Sequence, residues 1–441
     1  MQVKDAREVN WTAGDNASAD ALFSAMNSYF TFRTDAMDRL DLLLKRDPEV
    51  PAAHVLKGSL LMFSRSAKNL PAATEALEAA EAVSGSANNR ERLHISALRA
   101  WIQGDVLGAQ NVWDAILVQE PHDLLALRLQ HFNAMFLGSS DHLRALAGRS
   151  LSDWSDEVPG AGFAYGMACM GLEEAGEFER AEWIGRRGAE LEPDDLWCVH
   201  SVAHVMEGEG RLDEGLAWMV RPETLWEGRG PMRHHLWWHE ALFLFETGDY
   251  DRALDYYDRR LAPQEPANYM ELSNAASLLL RLESTGVECG DRWQSLAMKS
   301  DHMIEDRSLT FSDIHTLITF AMARDKIALR KTSDLIVAYA STAATYNANA
   351  ASRVAVPLAT ALSARLRGDA RKATDTLIQA RFDFPSMGGS NAQRDVLEIF
   401  LIDCAIAAGD RPLARRLLNQ YLDQRPEAVP MRNRLKELEA V

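Results

Sequence analysis

The sequence predicts an all-α fold in which helical hairpins repeat along a chain of 441 residues. Segments of about ten to twenty residues are rich in Ala, Leu, Arg and Glu, and their apolar residues recur with helical spacing. Strand signals are nearly absent, because Val, Ile, Thr and Tyr do not alternate with polar residues and no Asn-Gly or Asp-Gly turn occurs. A turn signature returns between the helical segments instead, and it predicts pairs of helices.

The turn signature consists of a glycine, then a polar or charged residue, and a small residue five positions after the glycine. The glycine can end the first helix in the left-handed conformation, and the polar residue after it can start the second helix. The small residue allows the two helices to pack closely. Six copies begin at Gly104, Gly176, Gly210, Gly248, Gly368 and Gly409.

Prolines follow the second helix of most hairpins at a regular distance. Four of them lie 17 residues after their turn glycine, at Pro121, Pro193, Pro385 and Pro426. The turn glycines Gly176 and Gly210 are 34 residues apart, and Gly248 follows after 38 more. A helix-turn-helix repeat of about 34 residues is the tetratricopeptide period. We therefore expect a tetratricopeptide-like α-solenoid, a right-handed superhelix of about ten to twelve hairpins.

The hairpins form a single continuous array in this prediction, because no segment has the composition of a flexible linker. Four stretches follow one another: N-terminal helices in 1–90, clear hairpins in 91–265, degenerate hairpins in 266–350, and C-terminal hairpins in 351–441. Outside the clear hairpins, the sequence predicts helices over Ala19–Arg46, Ala52–Val83, Tyr269–Ser284, Asp291–Ile304, Ser312–Met322 and Lys326–Thr345.

The charge balance of the chain is acidic. Asp and Glu number 64 and Lys and Arg number 47, so the formal net charge is −17. Such a chain is a poor binder of phosphate backbones and is repelled by anionic membranes. We therefore expect no nucleic acid and no membrane among its partners. We expect a small-molecule or peptide ligand, and a homodimer through the terminal repeats is an open alternative.

The four cysteines favour a reducing compartment. They are far apart and form no Cys-x-x-Cys pair, which argues against disulfides and against a cysteine zinc site. The polar N-terminal segment has no apolar targeting region, and the longest apolar runs fall short of the about 20 residues that cross a bilayer. We expect a cytoplasmic location.

Motifs of several common enzyme classes are missing. The chain has no G-x-S-x-G nucleophile elbow, no Walker A loop and no dinucleotide-binding fingerprint. No basic stripe is interleaved with aromatic residues, as binding of single-stranded nucleic acid requires. We therefore expect no cofactor.

Histidines and tryptophans gather on the first helices of two consecutive hairpins. Five of the twelve histidines lie within 40 residues there, and the first helices of such repeats line the concave surface. Neighbouring helices pack about 8–10 Å apart, so side chains at similar depth can converge. We expect a pocket formed by Trp197, His200, His204, Glu207, His235, Trp238 and His239.

Several interpretations of this pocket stay open. The one that we favour is a binding site for a small organic ligand or a peptide. In the second, the chain is a hydrolase or lyase in which His200 or His204 acts as a general base against His239 or Glu207. In the third, the same surface belongs to a protein-interaction scaffold. The histidines can also simply fill the groove between repeats.

A metal ion is disfavoured by the sequence pattern. The pair His200 and His204 has the i,i+4 spacing at which two imidazoles can hold one ion, and so has the pair His235 and His239. Neither pair is His-Glu-x-x-His, because no glutamate follows the first histidine. We therefore predict no metal ligand among these residues.

Further candidates lie nearer the C terminus. Gln393, Arg394 and Asp395 follow a pair of glycines at the start of a predicted helix. If the superhelix curls tightly, Arg394 can face the pocket and bind a carboxylate, although a solvated pair with Asp395 is the commoner case. His315 is a third candidate ligand-binding residue.

Five runs carry a resemblance to a known family: Gly171–Gly176, His200–Val205, Trp237–His239 with Ala241 and Leu242, Gly286–Leu296, and Ala392–Asp395. They resemble the tetratricopeptide repeat protein 38 family, and the resemblance extends from about Arg92 to Pro426. It implies a closed or strongly curved helical array around an internal pocket, and it implies no particular reaction. Position 391 is often histidine in sequences of this kind but is Asn391 here, so a role for that histidine does not carry over.

Overall fold

A computed structural model describes residues 1–221, 223–263 and 267–440 of the chain. Helix follows helix in these ranges, which confirms the predicted all-α fold of helical hairpins. None of the helices described there combines the length and the apolar character that crossing a bilayer requires.

The backbone groups into two compact units, which are described separately. Unit 1 comprises residues 1–135, 140–202 and 221–232, and unit 2 comprises residues 136–139, 203–220 and 233–440. The single uninterrupted array that the sequence suggested stays a prediction.

Unit 1 begins with a two-stranded antiparallel ribbon, β1 (Gln2–Lys4) and β2 (Asn10–Thr12). Its helices are α1 (Asn16–Phe30), α2 (Ala36–Arg46), α3 (Pro51–Phe63), α4 (Leu70–Ala82), α5 (Asn89–Ile102), α6 (Val106–Gln119), α7 (Leu124–Ala134), α8 (Ser140–Asp153), α9 (Ala161–Glu173) and α10 (Phe178–Leu191).

Two long helices, α11 and α14, begin in unit 1 and continue into unit 2. This middle part of the chain contains α11 (Leu196–Gly208), α12 (Leu212–Met219), α13 (Glu223–Trp226) and α14 (Gly230–Glu246). The helices that follow in unit 2 are α15 (Tyr250–Tyr256), α16 (Tyr269–Ser284), α17 (Arg292–Ser300), α18 (Thr310–Met322), α19 (Lys326–Thr342), α20 (Tyr346–Ala350), α21 (Val356–Leu366), α22 (Ala370–Ala380), α23 (Asn391–Ala407), α24 (Arg411–Gln424) and α25 (Val429–Ala440).

The predicted turn signature is confirmed at all six positions. Each turn glycine has a positive φ, between 70° and 83°. At Gly215, which takes the small-residue position after Gly210, a Cβ atom would stand 2.4 Å from the ring of Phe243. The residue after the glycine accepts a hydrogen bond from the backbone N–H three positions on at Asp105, Asp249, Asp369 and Asp410. The signature therefore ends one helix, starts the next and lets them pack closely.

Two N-terminal features differ from the prediction. The helix expected over Ala19–Arg46 is broken into α1 and α2, because Phe32 adopts a φ of 56° and turns the chain. The ribbon of β1 and β2 carries no alternating pattern that would predict strands. A tertiary contact secures it, since the Glu91 carboxylate on α5 accepts hydrogen bonds from the Thr12 backbone N–H at 2.7 Å and from its hydroxyl at 2.5 Å.

Several helices are buried on all sides. In α9 every residue is buried, and so are Glu271–Leu282 of α16 and Thr310–Ala321 of α18. A helix without an exposed face encloses its polar side chains together with its apolar ones. The candidate site arises from polar side chains that are buried in this way.

All four cysteines are buried thiols, at positions 169, 198, 289 and 404. Burial raises the pKa of Cys289 and of Cys404 to about 12. It also raises the pKa of Cys169 and Cys198 well above the ordinary value. The thiols are therefore protonated and unreactive at neutral pH.

Candidate functional site

Three predicted site histidines converge in unit 2, and we call them the histidine cluster: His204 on α11, and His235 and His239 on α14. Each offers one ring nitrogen, and these atoms lie within 4.8 Å of one another. The rings of His204 and His239 are 4.4 Å apart between centroids, and those of His235 and His239 are 4.9 Å apart. None of the three residues is more than 4% exposed.

The helical period brings these rings together. His235 and His239 are four residues apart, so they lie one above the other on the same face of α14. Trp238 forms part of the surrounding wall, and its ring stacks on that of His235 at 5.3 Å with an interplanar angle of 14°. The predicted convergence of imidazoles and an indole is therefore present within unit 2.

Two rings of the histidine cluster have an oxygen partner at Nδ1. His235 Nδ1 lies 3.1 Å from Asn274 Oδ1, and His239 Nδ1 lies 3.2 Å from a carboxylate oxygen of Glu207. Both oxygens only accept hydrogen bonds, so the neutral rings donate from Nδ1. Their Nε2 atoms then carry the lone pair, a tautomer that we infer from these partners.

A charged network lies behind the histidine cluster. Arg425 binds the second Glu207 oxygen at 3.1 Å and Asp395 at 3.4 Å. The Tyr421 hydroxyl donates to Asp395 at 2.7 Å, and the guanidinium of Arg281 lies 3.8 Å from the same carboxylate. Buried charges are unfavourable unless they are paired and hydrogen-bonded, so each of these groups depends on the others.

Burial keeps the imidazoles of the cluster neutral. Loss of water, with neighbouring positive charge from Arg281 and Arg425, lowers the pKa of His239 to about 3. Burial and the His239 ring lower the pKa of His235 to about 3 as well. Burial also lowers the pKa of His204 well below its ordinary value. At neutral pH the cluster therefore presents ring lone pairs and no positive charge.

Two of the residues that the sequence predicted for the pocket belong to unit 1. Trp197 and His200 stand near the start of α11, with their rings 4.5 Å apart. The Trp197 ring also contacts Phe132 at 4.6 Å and His131 at 5.4 Å. His200 lies one turn before His204 on the same helix. Trp197 is thus part of the aromatic packing of unit 1.

The remaining predicted residues have mostly local roles. Gln393 forms a capping box with Ser390, whose backbone N–H donates to Gln393 Oε1 at 3.0 Å. Arg394 donates to the Gly389 carbonyl and to Asn391. His315 is hydrogen-bonded through Nδ1 to the Phe311 carbonyl of its own helix at 2.8 Å. Asp395 is the C-terminal candidate that joins the charged network.

Five residues of the site escaped the sequence analysis. Arg281 had a readable signal, because it is a cation within the otherwise apolar run of α16. Glu246 is buried near Arg425, and burial raises its pKa to about 7 against the effect of that guanidinium. The others come together only in the folded chain, and the full set is Glu246, Asn274, Arg281, Tyr421 and Arg425.

A cavity of about 600 Å³ opens elsewhere on unit 2. Tyr250, Arg411 and Asn433 are among its lining residues, and no predicted site residue is. The three residues of the histidine cluster are buried, and none of them lines this cavity.

Comparison with known proteins finds distant structural likenesses. No protein-family model matches the sequence. Similar solved structures include the human IFIT1 dimer with m7Gppp-AAAA, with a TM-score of 0.44 and 13% identity over 98% of this chain and 96% of that chain. The Cut9–Hcn1 hetero-tetramer of the APC/C has a TM-score of 0.33 and 12% identity, over 96% and 90% of the two chains. Yeast Tom70 has a TM-score of 0.29 and 13% identity, over 97% and 96%. The helical-hairpin fold of the described residues is shown by their own helices and turn glycines.

Our expectation of no nucleic-acid partner is corrected by these structures. IFIT1 was solved with m7Gppp-AAAA and with PPP-AAAA. The exclusion rested on the net charge of −17, which describes the whole chain and not the local surface that meets a phosphate. Neither this fold class nor the net charge excludes nucleic acid, and the expectation is withdrawn.

Proposed function

We propose that this chain is a helical-repeat binding protein that holds a small ligand at the histidine cluster of unit 2. The observation that carries the proposal is the approach of three buried, neutral imidazoles to within 4.8 Å. Here three rings face one another, an arrangement suited to a ligand that all three contact.

The charged network supports the same proposal. Glu207 and Asp395 are 3% and 9% exposed as side chains, and Arg425 is 17% exposed. Ion pairs that are this buried contribute little net stability compared with apolar packing, so stability alone does not explain them. Strongly shifted pKa values around such a group are typical of binding and catalytic sites.

Native mass spectrometry of the purified full chain tests the proposal. We expect a bound small species on the unaltered chain, and we expect it to be lost in His239→Gln. His131→Gln is the matched control, because His131 is an equally buried histidine of unit 1. No bound species on the unaltered chain, or equal retention in His239→Gln, would contradict the proposal.

A second candidate function is acid–base catalysis, and the contact between His239 and Glu207 favours it. A carboxylate on Nδ1 orients an imidazole and leaves Nε2 to accept a proton from a substrate. A hydrolase or lyase activity should then be abolished by His239→Ala. Screening ester and amide substrates against both chains measures this, and unchanged turnover in the variant would exclude the role.

The finer sequence-based assignments remain proposals. Membership of the tetratricopeptide repeat protein 38 family is supported by the five quoted runs, and a closed array around a pocket follows from that resemblance. A cytoplasmic location is supported by four buried thiols that are far apart in the sequence. A peptide ligand, a protein-interaction role and a homodimer are compatible with the repeat fold.

A further inference from the structure

We propose that the ligand of the histidine cluster is a divalent transition-metal ion, with Zn²⁺ as the first candidate. The ring nitrogens of His204, His235 and His239 would coordinate it. This inference rests on the proposed function and names its ligand class. The sequence pattern alone disfavoured a metal because neither histidine pair is His-Glu-x-x-His. The fold favours a metal because it brings His204 of α11 close to the pair of histidines on α14.

The donor spacing is close to that of a zinc site. Zn–N bonds of 2.0–2.1 Å place the nitrogens of a tetrahedral site about 3.3 Å apart. The three nitrogens here lie within 4.8 Å of one another. The rings must therefore approach one another when an ion binds.

The partners at Nδ1 are those of a metal-binding histidine. Metal-binding imidazoles usually donate their other N–H to a carboxylate or a carbonyl oxygen, which sets the tautomer and the ring orientation. Glu207 does this for His239 at 3.2 Å, and Asn274 does it for His235 at 3.1 Å. In this tautomer Nε2 carries the lone pair that can coordinate an ion, and Glu207 is itself held by Arg425 at 3.1 Å.

The donor chemistry selects the kind of ion. Neutral imidazoles suit Zn²⁺, Cu²⁺ and Ni²⁺, whereas Mg²⁺ and Ca²⁺ need oxygen ligands. The carboxylate of Glu207 lies 3.2 Å from His239 Nδ1, so a negative charge next to a coordinating ring offsets part of the charge of an added divalent ion.

Another buried histidine of unit 2 provides the contrast. His315 is as buried as the cluster, but its Nδ1 bonds to the Phe311 carbonyl of its own helix and its ring packs on Phe311 at 4.5 Å. That ring has an ordinary structural environment. The arrangement in the cluster is not a general consequence of histidine burial.

The test uses the full chain after treatment with a chelator and dialysis. Titration with Zn²⁺ in a calorimeter should give one tight site, and Co²⁺ in the same protein should produce the visible absorption of a tetrahedral nitrogen site. His235→Gln should abolish both signals, while His131→Gln should retain them. Glu207→Gln should weaken Zn²⁺ binding by about 10–100-fold, because it loosens the orientation of His239.

The outcomes separate this inference from the proposed function. Absence of the Co²⁺ absorption on the unaltered chain overturns the metal assignment, and this measurement needs no variant to fold. Equal Zn²⁺ affinity in His235→Gln and the unaltered chain overturns it as well. If native mass spectrometry then finds an organic species that His239→Gln loses, the proposed function stands without the metal. If neither metal nor organic species binds, both are wrong.

Discussion

Units 1 and 2 both bury histidines on α-helices, but they surround them in different ways. In unit 1 His94 Nε2 lies 2.8 Å from Asp123 Oδ2, and Arg90 binds the same carboxylate while covering the Trp11 ring at 3.9 Å. In unit 2 His204 and His239 face each other at 4.4 Å. Both regions contain paired carboxylates and guanidiniums, but only in the second do imidazole rings contact one another.

The contrast shows which feature separates a structural histidine from a candidate site. Burial does not do so, since His94 and His204 are each 2% exposed. Residue type and secondary structure do not separate them either, because both histidines lie on helices of the same kind of hairpin. The difference lies in the kind of group that the imidazole approaches. His94 approaches a carboxylate that also binds a guanidinium, whereas His204 and His235 approach a third imidazole, that of His239.

The largest effect is expected from removing the Asp123 charge in unit 1. Asp123→Asn leaves the buried Arg90 guanidinium without its counter-charge, and breaking such a pair costs about 3–5 kcal/mol. Asparagine still caps α7, where the Ala126 N–H bonds to Asp123 Oδ1 at 2.9 Å. Urea unfolding measures the loss, and hydrogen exchange should locate it in unit 1. A loss below about 1 kcal/mol would mean that the charge network does not hold unit 1 together.

The same substitution at one histidine of each unit sharpens the comparison directly. His94→Leu removes the imidazole partner of Asp123, so we expect a loss of about 1–3 kcal/mol in the free energy of unfolding. His204→Leu replaces the ring by an apolar side chain that keeps much of its buried volume, and we expect a smaller change of about 1 kcal/mol. Urea unfolding of both variants measures the two values. Equal losses would erase the distinction between the two regions.

Two buried carboxyl groups should contribute to the dependence of stability on pH with opposite signs. Burial raises the pKa of Asp313 in unit 2 to about 7, although Arg307 offsets part of the effect. The folded chain then holds a proton between about pH 4 and 7 that the unfolded chain has lost, so stability falls as pH rises through this range. Asp313→Asn should therefore flatten the dependence of Tm on pH between about pH 4 and 7, as Tm measured across this range will show.

Asp123 provides the reference of opposite sign. Burial alone would raise its pKa, but Arg90 and His94 beside it hold the pKa below the ordinary range. Its contribution is therefore present at neutral pH and is lost as the pH falls below about 4. If Asp313→Asn left the profile unchanged, Asp313 would already be ionised in the folded chain.

The smallest effects should be the same in both units. Asp105 in unit 1 and Asp410 in unit 2 each accept a hydrogen bond from the backbone N–H three residues on, at 2.8 Å and 3.2 Å. Replacing either by alanine should cost about 1 kcal/mol in the free energy of unfolding. Urea unfolding of Asp105→Ala and Asp410→Ala checks this. A clear inequality would mean that the shared hairpin frame, and not only the histidine surroundings, differs between the units.

The helical frame was readable from the sequence because it depends on local chemistry. Gly104 and Gly248 end helices, and Asp105 and Asp249 start the next ones, through interactions that span a few residues. The i,i+4 pair of His235 and His239 was readable for the same reason. The capping box of Ser390 and Gln393 is also a local sequence pattern, and it assigns Gln393 to the start of α23.

The charged network could not be read in this way. Arg425 and Glu207 are 218 residues apart in the sequence, so no periodicity relates them. Asn274 is likewise on a separate helix from His235, its partner. The N-terminal ribbon was missed for the same reason, because Glu91 on α5 secures it from 79 residues away. Local patterns predict elements, whereas the partners that tune a site appear only when those elements pack.

The burial of all four thiols has a practical consequence for labelling this molecule. Maleimide reagents attack exposed thiolates, and none of these side chains offers one in the folded chain. A cysteine introduced at an exposed serine, such as Ser152 on α8 of unit 1 or Ser341 on α19 of unit 2, would therefore accept a fluorophore while the native residues stay in place. Each dye would then show, one unit at a time, whether an added ligand alters its surroundings.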